Sequence, residues 1–264
     1  MGGTVSAELN YFAGPECPPA GETLHYYADF SATTNVRLEP HRVPIRDGRD
    51  MAGRFDLDRE GIALARFSSE AGAVDADSER FLAECAALIR ALTGASAAYG
   101  GGLHYRFAGA DDPADRYDKG PAHYVHADYS NGAALNFPAF VGASIAGARR
   151  WAIYNLWRVL TPPPHRVPLA VCDASSLAPA DEVETEVVMA YPGREAIRTH
   201  TILYRPSPAH RWLWFSGMTP GEVLVFKSHD SAAGLAKRVA HSAFERGQGG
   251  PRISAEARVL ALFD

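Results

Sequence analysis

Cysteine is scarce in this chain: Cys17, Cys85 and Cys172 are its three thiols. They are odd in number, far apart and never spaced C-x-x-C, which argues against a disulfide framework or a cysteine zinc site. No run of about 18 apolar residues occurs, so no membrane-spanning helix is expected. Met1 to Asn10 lack a basic stretch leading into an apolar one, so no signal peptide is expected. A surplus of positive charge is missing too. The 26 basic residues are outnumbered by 31 acidic ones, for a net charge of −5, and nothing uniform is offered to a phosphate backbone. These absences point away from nucleic acid and membrane partners and towards a soluble, reducing, cytoplasmic setting.

What the chain does have is enough apolar sequence to fold. Hydrophobic residues make up 47% of its 264 positions and charged ones 22%, a globular mixture. The length suits a single domain over residues 1–264. Its expected parts are an irregular and helical stretch of about 1–100 and a β core of about 101–264. Phe81, Leu82, Cys85, Leu88, Ile89 and Leu92 recur at steps of three and four, predicting one amphipathic helix from Asp77 to Leu92. Asp75 or Ser78 is the expected cap and Gly94 the expected stop.

Elsewhere short strand-like runs prevail. They are Leu24–Phe30, Gly61–Phe67, Ala122–Val125, Ala152–Trp157, Glu184–Met189, His200–Tyr204, Trp212–Phe215, Glu222–Phe226 and Ala257–Phe263. Prolines at 162–164, 192, 206, 208 and 220 punctuate them. The expected fold is mainly β with a flanking helix, built on a jelly-roll or cupin-like barrel. Gly100-Gly101-Gly102 and the stretch from Gly247 to Gly250 read as flexible loops, the first as a mobile lid.

One tripeptide carries chemistry. In His126-Ala127-Asp128 the strand period of two turns an imidazole and a carboxylate to the same face, where both reach one metal ion. His241, 113 residues after Asp128, is a suitable third ligand. Two histidines and one carboxylate leave coordination positions open for substrate and O₂ on non-haem Fe(II). An H-x-D tripeptide also arises by chance, and His104, His123, His200 and His229 are rival ligands. Arg252 and Ser254 follow, beginning eleven residues after His241. An arginine beside a hydroxyl can clamp a dicarboxylate. Arg258 opens the last apolar run and is slightly favoured for the same task, although either arginine also reads as a solvated edge charge.

From about Phe55 to Phe263 the chain resembles the CmcJ-type group of Fe(II)/2-oxoglutarate-dependent oxygenases. That group is related to the gibberellin desaturase-like and fungal endoperoxide-forming enzymes. The resemblance rests on ordered blocks: Phe55-Asp56-Leu57-Asp58 with Gly61; Leu92-Thr93-Gly94-Ala95; Val125-His126-Ala127-Asp128; Asn155-Leu156-Trp157-Arg158; and Pro168 through Asp173. Further blocks are His210-Arg211-Trp212; Met218, Pro220 and Glu222 through Lys227; Asp230-Ser231; His241 through Phe244; and Arg252-Ile253-Ser254 with Arg258. Two departures stand out. Relatives carry a Phe-Asp-His-like segment where this chain has Tyr99 to His104, and tend to have Tyr where His229 stands.

The resemblance implies a double-stranded β-helix with His126, Asp128 and His241 on Fe(II). It also implies 2-oxoglutarate as co-substrate, held by Arg252, Ser254 and Arg258, and O₂ as oxidant. The implied reaction is hydroxylation, desaturation, cyclisation or peroxidation of a small organic molecule of secondary metabolism. His104, Tyr129 and Arg158 are the candidate substrate contacts. Oligomeric state is left open. Two other readings compete: a cupin-like metal enzyme that does not use 2-oxoglutarate, and a non-catalytic β-barrel that binds a small ligand. Trp157, Trp212 and Trp214 read as core or pocket wall, and Cys172 as a packed, inert thiol. Arg211 is either an internal salt-bridge partner or a contact for an acidic substrate.

Overall fold

The computed structural model describes residues 3–14, 23–27, 34–69, 77–109, 120–189 and 195–264. Their strands, in chain order, are β1 (Thr4–Phe12), β2 (His25–Tyr27), β3 (Leu38–Asp47), β4 (Ile62–Arg66), β5 (Ala97–Ala108), β6 (His126–Ala127) and β7 (Arg150–Val159). There follow β8 (Leu169–Cys172), β9 (Glu182–Met189), β10 (Ile197–Tyr204), β11 (Trp212–Trp214), β12 (Glu222–Asp230), β13 (His241–Ala243) and β14 (Arg252–Phe263). They make a nine-stranded sheet, β1-β3-β11-β8-β13-β6-β10-β9-β2, and a five-stranded sheet, β4-β12-β7-β14-β5. The two curl against each other as a jelly roll.

Strand alternation explains how one chain fills three apolar layers. On β8, Leu169 and Val171 enter the core between the sheets, where Trp157, Leu224 and Phe226 meet them. The intervening Ala170 and Cys172 face outwards into a second layer with Leu9, Tyr11, Trp212 and Trp214. On β14, Ala255, Ala257, Val259 and Ala261 pack beneath the long helix α1 (Ser78–Thr93), against Phe81, Cys85 and Ile89. The alternate residues of that strand, Arg252, Ser254, Glu256 and Arg258, turn the other way. The barrel side of β14 is therefore polar from Arg252 to Arg258, with Leu260 apolar beyond.

Helix α1 forms where its periodicity places it, but its cap is Asp77, whose side chain accepts the Arg80 N–H at 3.0 Å. Ser78 is the first helical residue, and Asp75 lies outside the described residues. Gly94 ends the helix in a left-handed conformation, φ 71°, with its N–H on the Arg90 carbonyl. Two short helices follow β6: α2 (Asn131–Ala134) and α3 (Phe137–Phe140).

The sequence reading misses β1 and β3, which pair from Thr4–Arg46 to Phe12–Leu38. Pro40 and Pro44 disguise β3. They are tolerated because β3 gains a second neighbour, β11, only over Ile45–Asp47, so the missing N–H groups fall where one side of the strand is open. The strand expected over Ala122–Val125 is shifted to His126–Ala127. Of the expected Leu24–Phe30, His25–Tyr27 is a strand and residues 28–30 lie outside the described ones.

The glycine run is not a lid. Gly100, Gly101 and Gly102 lie inside β5, and each answers a close approach or a bend. A Cβ on Gly100 would sit 2.5 Å from the Leu82 carbonyl oxygen of α1, and one on Gly101 would sit 2.6 Å from Val141 Cγ1. Gly102 has φ 64° where the pairing with β14 jumps from Glu256–His104 to Arg258–Gly101, a β-bulge that needs a left-handed residue. Substituting Gly100→Ala should therefore force α1 off the sheet and destabilise the chain by about 1–3 kcal/mol, the usual cost of overpacking. Chemical denaturation checks this, and a midpoint equal to that of the unsubstituted chain would restore the loop reading.

Candidate metal centre

The nine-stranded sheet brings the three expected ligands together. His126 on β6 and His241 on β13 are directly paired across the two strands, so both imidazoles rise from the same face, with ring centroids 4.2 Å apart. Asp128 follows just beyond β6, its Oδ1 4.0 Å from His126 Nε2. One ligand atom from each of the three lies within 4.8 Å of the others, and this is the cluster of potential metal ligands among the described residues. None of the rivals His104, His123, His200 and His229 belongs to it.

Both rings are aimed by the backbone. His126 Nδ1 lies 2.9 Å from the Tyr124 carbonyl and His241 Nδ1 lies 3.2 Å from the Val239 carbonyl. A carbonyl only accepts, so each Nδ1 carries the hydrogen and each Nε2 presents a lone pair to the cluster. Burial, followed by the neighbouring His241, pushes His126 down to about 4. Burial lowers His241 as well. Both rings are neutral at physiological pH, the form that ligates a metal.

Asp128 is held from the opposite sheet. Asn155 on β7 donates from Nδ2 to Oδ2 at 2.5 Å, and the Ser228 hydroxyl on β12 adds a longer contact of 3.4 Å. Arg258 on β14 donates to Oδ1 at 3.0 Å and to Glu256 Oε1 at the same distance. Burial opposes ionisation of Asp128, but the Arg258 guanidinium first, then the two imidazoles and Asn155, hold the carboxyl well below the usual range. Two carboxylates thus face one guanidinium beside two neutral imidazoles. This donor set suits a divalent, first-row metal with open coordination positions.

The remaining expected residues divide. Arg252 is 2% exposed, donates to the Ser254 hydroxyl at 2.9 Å and lies over the Trp157 ring at 5.3 Å. Its Nε is buried with no hydrogen-bond partner among the described residues, and burial, reinforced by Arg106, draws its pKa down to about 9. Arg258, favoured from sequence for the dicarboxylate, is already committed to Asp128 and Glu256. Tyr129 lies under the Arg258 guanidinium, 5.7 Å from it, and packs on Phe137. His104 stands opposite Glu256 on the neighbouring strand.

Arg158 must be reassigned. It alternates with Asn155 and Trp157 on β7, so it turns towards the helix side, donating to the Pro220 carbonyl at 2.7 Å and lying over Phe67. It does not approach the cluster. Arg211 is an internal partner of Asp173, at 2.9 Å. Cys172 is fully buried, and burial pushes its thiol up to about 12, so it is unreactive. A cavity of about 760 Å³ bordered by Arg54, Arg59, Leu177, Lys237 and Arg238 contains none of the three cluster residues.

Sequence reasoning overlooked Ser228 and Glu256, and quoted Asn155 without a role. The signal for Glu256 was present as R-x-S-x-E-x-R from Arg252 to Arg258, four polar residues at period two in an otherwise apolar strand.

A jelly roll with two imidazoles and a carboxylate converging inside it is the architecture of a non-haem metal oxygenase. A family model described as an oxidoreductase/YMDC permease-like domain matches residues 9–262. The hydroxylase/desaturase efuI of Hormonema carpetanum is 32% identical over 99% of this chain and 96% of its own. The Fe(II)/2-oxoglutarate-dependent dioxygenase nvfI of Aspergillus novofumigatus is 25% identical over 86% of this chain and 85% of its own. A solved structure of the iron and alpha-ketoglutarate-dependent endoperoxidase NvfI superposes with a TM-score of 0.83 at 23% identity, covering 99% of this chain and 98% of that one. The chain belongs to this oxidoreductase family, the group of Fe(II)/2-oxoglutarate-dependent oxygenases that its sequence blocks resemble. No helix among the described residues is long and apolar enough to cross a membrane.

Asn155→Ala removes the shortest hydrogen bond to Asp128 without touching a ligand. Loss of an orienting partner of this kind costs metal affinity about 10–100-fold. Titration with Co(II), followed by its visible absorption, should show that loss; unchanged affinity would mean that Asn155 does not orient the carboxylate.

Proposed function

We propose that this chain oxidises a small organic molecule of secondary metabolism, using Fe(II), 2-oxoglutarate and O₂, as a single cytoplasmic domain. The convergence of His126, Asp128 and His241 carries the reading. Bound by these three residues, Fe(II) together with 2-oxoglutarate supplies the activation of O₂ and leaves succinate and CO₂. Every other task falls to the chain. His126 and His241 offer Nε2 lone pairs fixed by backbone carbonyls. Asp128 supplies the negative ligand, and Asn155, Ser228 and Arg258 keep it in place.

Arg252 and Ser254 take the distal carboxylate of 2-oxoglutarate. A guanidinium buried at 2% exposure with an unpartnered Nε is unfavourable until an anion reaches it. The co-substrate is the anion at hand, and Trp157 provides the wall beneath it. Arg258 has a different task, holding Asp128 and Glu256. Tyr129 and His104 remain candidate substrate contacts. The hydroxylase/desaturase names among the relatives favour hydroxylation or desaturation, and the endoperoxidase name extends the range to peroxidation.

Arg252→Ala should weaken the apparent affinity for 2-oxoglutarate well over tenfold, since losing the partner of a desolvated carboxylate costs about 2–5 kcal/mol. Its metal content should stay unchanged. His126→Ala and His241→Ala should lose metal outright. Metal analysis and succinate release with Fe(II), ascorbate and O₂ separate these effects. Full metal in both histidine variants would remove the iron reading, and unaltered 2-oxoglutarate affinity in Arg252→Ala would remove the clamp.

A further inference from the structure

His229 is an unusual residue for its surroundings. It is 4% exposed, and its Nδ1 is buried with no hydrogen-bond partner among the described residues. The ring is stacked on Trp151, with centroids 4.6 Å apart and planes 26° apart. Across β7 it is paired with Ile153, which belongs to the apolar cluster of Phe137, Trp151 and Leu260. A polar ring is thus held rigidly in an apolar wall.

The backbone explains how it comes to face inwards. The pairing of β12 with β7 shifts register between Lys227 and His229, a β-bulge that re-aims side chains. The bulged residue, Ser228, reaches the metal-ligand carboxylate of Asp128 at 3.4 Å. His229 is the next residue, about 3.8 Å further along the backbone. It therefore stands at the edge of the candidate metal centre, on the side covered by Tyr129 and the short helices α2 and α3. Burial first, then the nearby charges of Lys237 and Arg238, push its pKa down to about 4. At physiological pH it is a neutral imidazole with one donor and one acceptor.

Folding leaves a buried polar atom unpaired only at a cost, and such exceptions call for an explanation. We propose that His229 is a specificity-determining residue that hydrogen-bonds a hydroxyl or carbonyl oxygen on an otherwise apolar substrate. Trp151, on which the ring is stacked, supplies apolar surface for the rest of that molecule, backed by the buried cluster of Ile153 and Phe137. The adjacent cations Lys237 and Arg238 disfavour an ammonium there, so the class is an oxygenated, uncharged or anionic compound. This assignment rests on the oxygenase reading, but its test needs no turnover.

The decisive variant is His229→Phe, which keeps the ring on Trp151 and removes the unpaired Nδ1. Its thermal midpoint should rise by about 2–4 °C, because an orphaned polar group has been replaced by an apolar one. Binding is measured on the metal-loaded protein with 2-oxoglutarate under anaerobic conditions, by ligand-observed NMR, using 2-tetralone, 2-tetralol and tetralin. These probes share one carbon skeleton and differ in the oxygen. The unsubstituted protein should prefer the two oxygenated probes at least tenfold over tetralin. His229→Phe should abolish that preference, and His229→Gln should retain part of it. A lowered midpoint in His229→Phe would show a structural role and overturn the assignment. So would equal binding of tetralin, no binding of any probe at millimolar concentration, or an undiminished preference in the variant. Failure of the oxygenase reading would appear separately, as absent succinate release with this preference intact.

Discussion

The carboxylate of Asp128 is the group on which the architecture of the site depends. A buried carboxylate is costly unless it is paired and hydrogen-bonded. Its partners come from three strands of the five-stranded sheet: Asn155 from β7, Ser228 from β12 and Arg258 from β14. Asp128 itself belongs to the chain leaving the opposite sheet. Satisfying this one group therefore fixes the approach of the two sheets at the candidate metal centre. Taking away a partner would leave an uncompensated charge, a loss of about 3–5 kcal/mol for a buried pair, so the clasp contributes to folding as well as to metal binding.

The same sheet shows how a polar interior is made affordable. β14 turns four small or branched apolar residues towards α1 and four polar ones into the barrel, so the helix supplies the burial that the inner face forgoes. The two inner arginines then differ in completeness. Arg258 has two carboxylates, Asp128 and Glu256, within 3.0 Å. Arg252 has a hydroxyl and an aromatic face but no carboxylate, while the Nε of each arginine is buried with no partner among the described residues. A finished ion pair reads as structure, whereas an unfinished one reads as a place for an anion.

Those contrasts mark what the sequence could disclose. The H-x-D tripeptide was legible because both ligands sit on one short stretch, although Asp128 lies just past the end of β6 and takes its direction from its partners on the other sheet. Helix α1 was legible for the same local reason. Arg252 and Ser254 were legible as a pair following His241, but the division of labour with Arg258 was not. It depends on a contact to Asp128 across 130 residues of chain, which no local pattern encodes. Arg158 was placed in the site although alternation with Asn155 on β7 puts it on the far face. Prolines hid β3 because a strand with one open side tolerates them. The glycine run was mistaken for a mobile loop because its reason, the Leu82 carbonyl of α1 pressed against Gly100, lies outside its own neighbourhood.

The ligands and the substrate wall are also built differently, and the difference has a consequence. Both imidazoles stand on paired strands and are aimed by main-chain carbonyls, two residues before each histidine. Side-chain substitutions elsewhere do not alter those contacts, so the direction of the two imidazoles is set by the sheet itself, while Asp128 depends on its side-chain partners. The wall beyond it is made of side chains: Trp151 and Ile153 on β7, His229 on β12, Leu260 on β14, and Phe137 on a helix of one turn. Exchanging these residues changes what is held beside the metal while the ligands stay where they are. A scaffold divided in this way can keep one oxidising centre and vary its reaction through the placement of the substrate, because the position of the attacked bond is decided by the wall and not by the ligands.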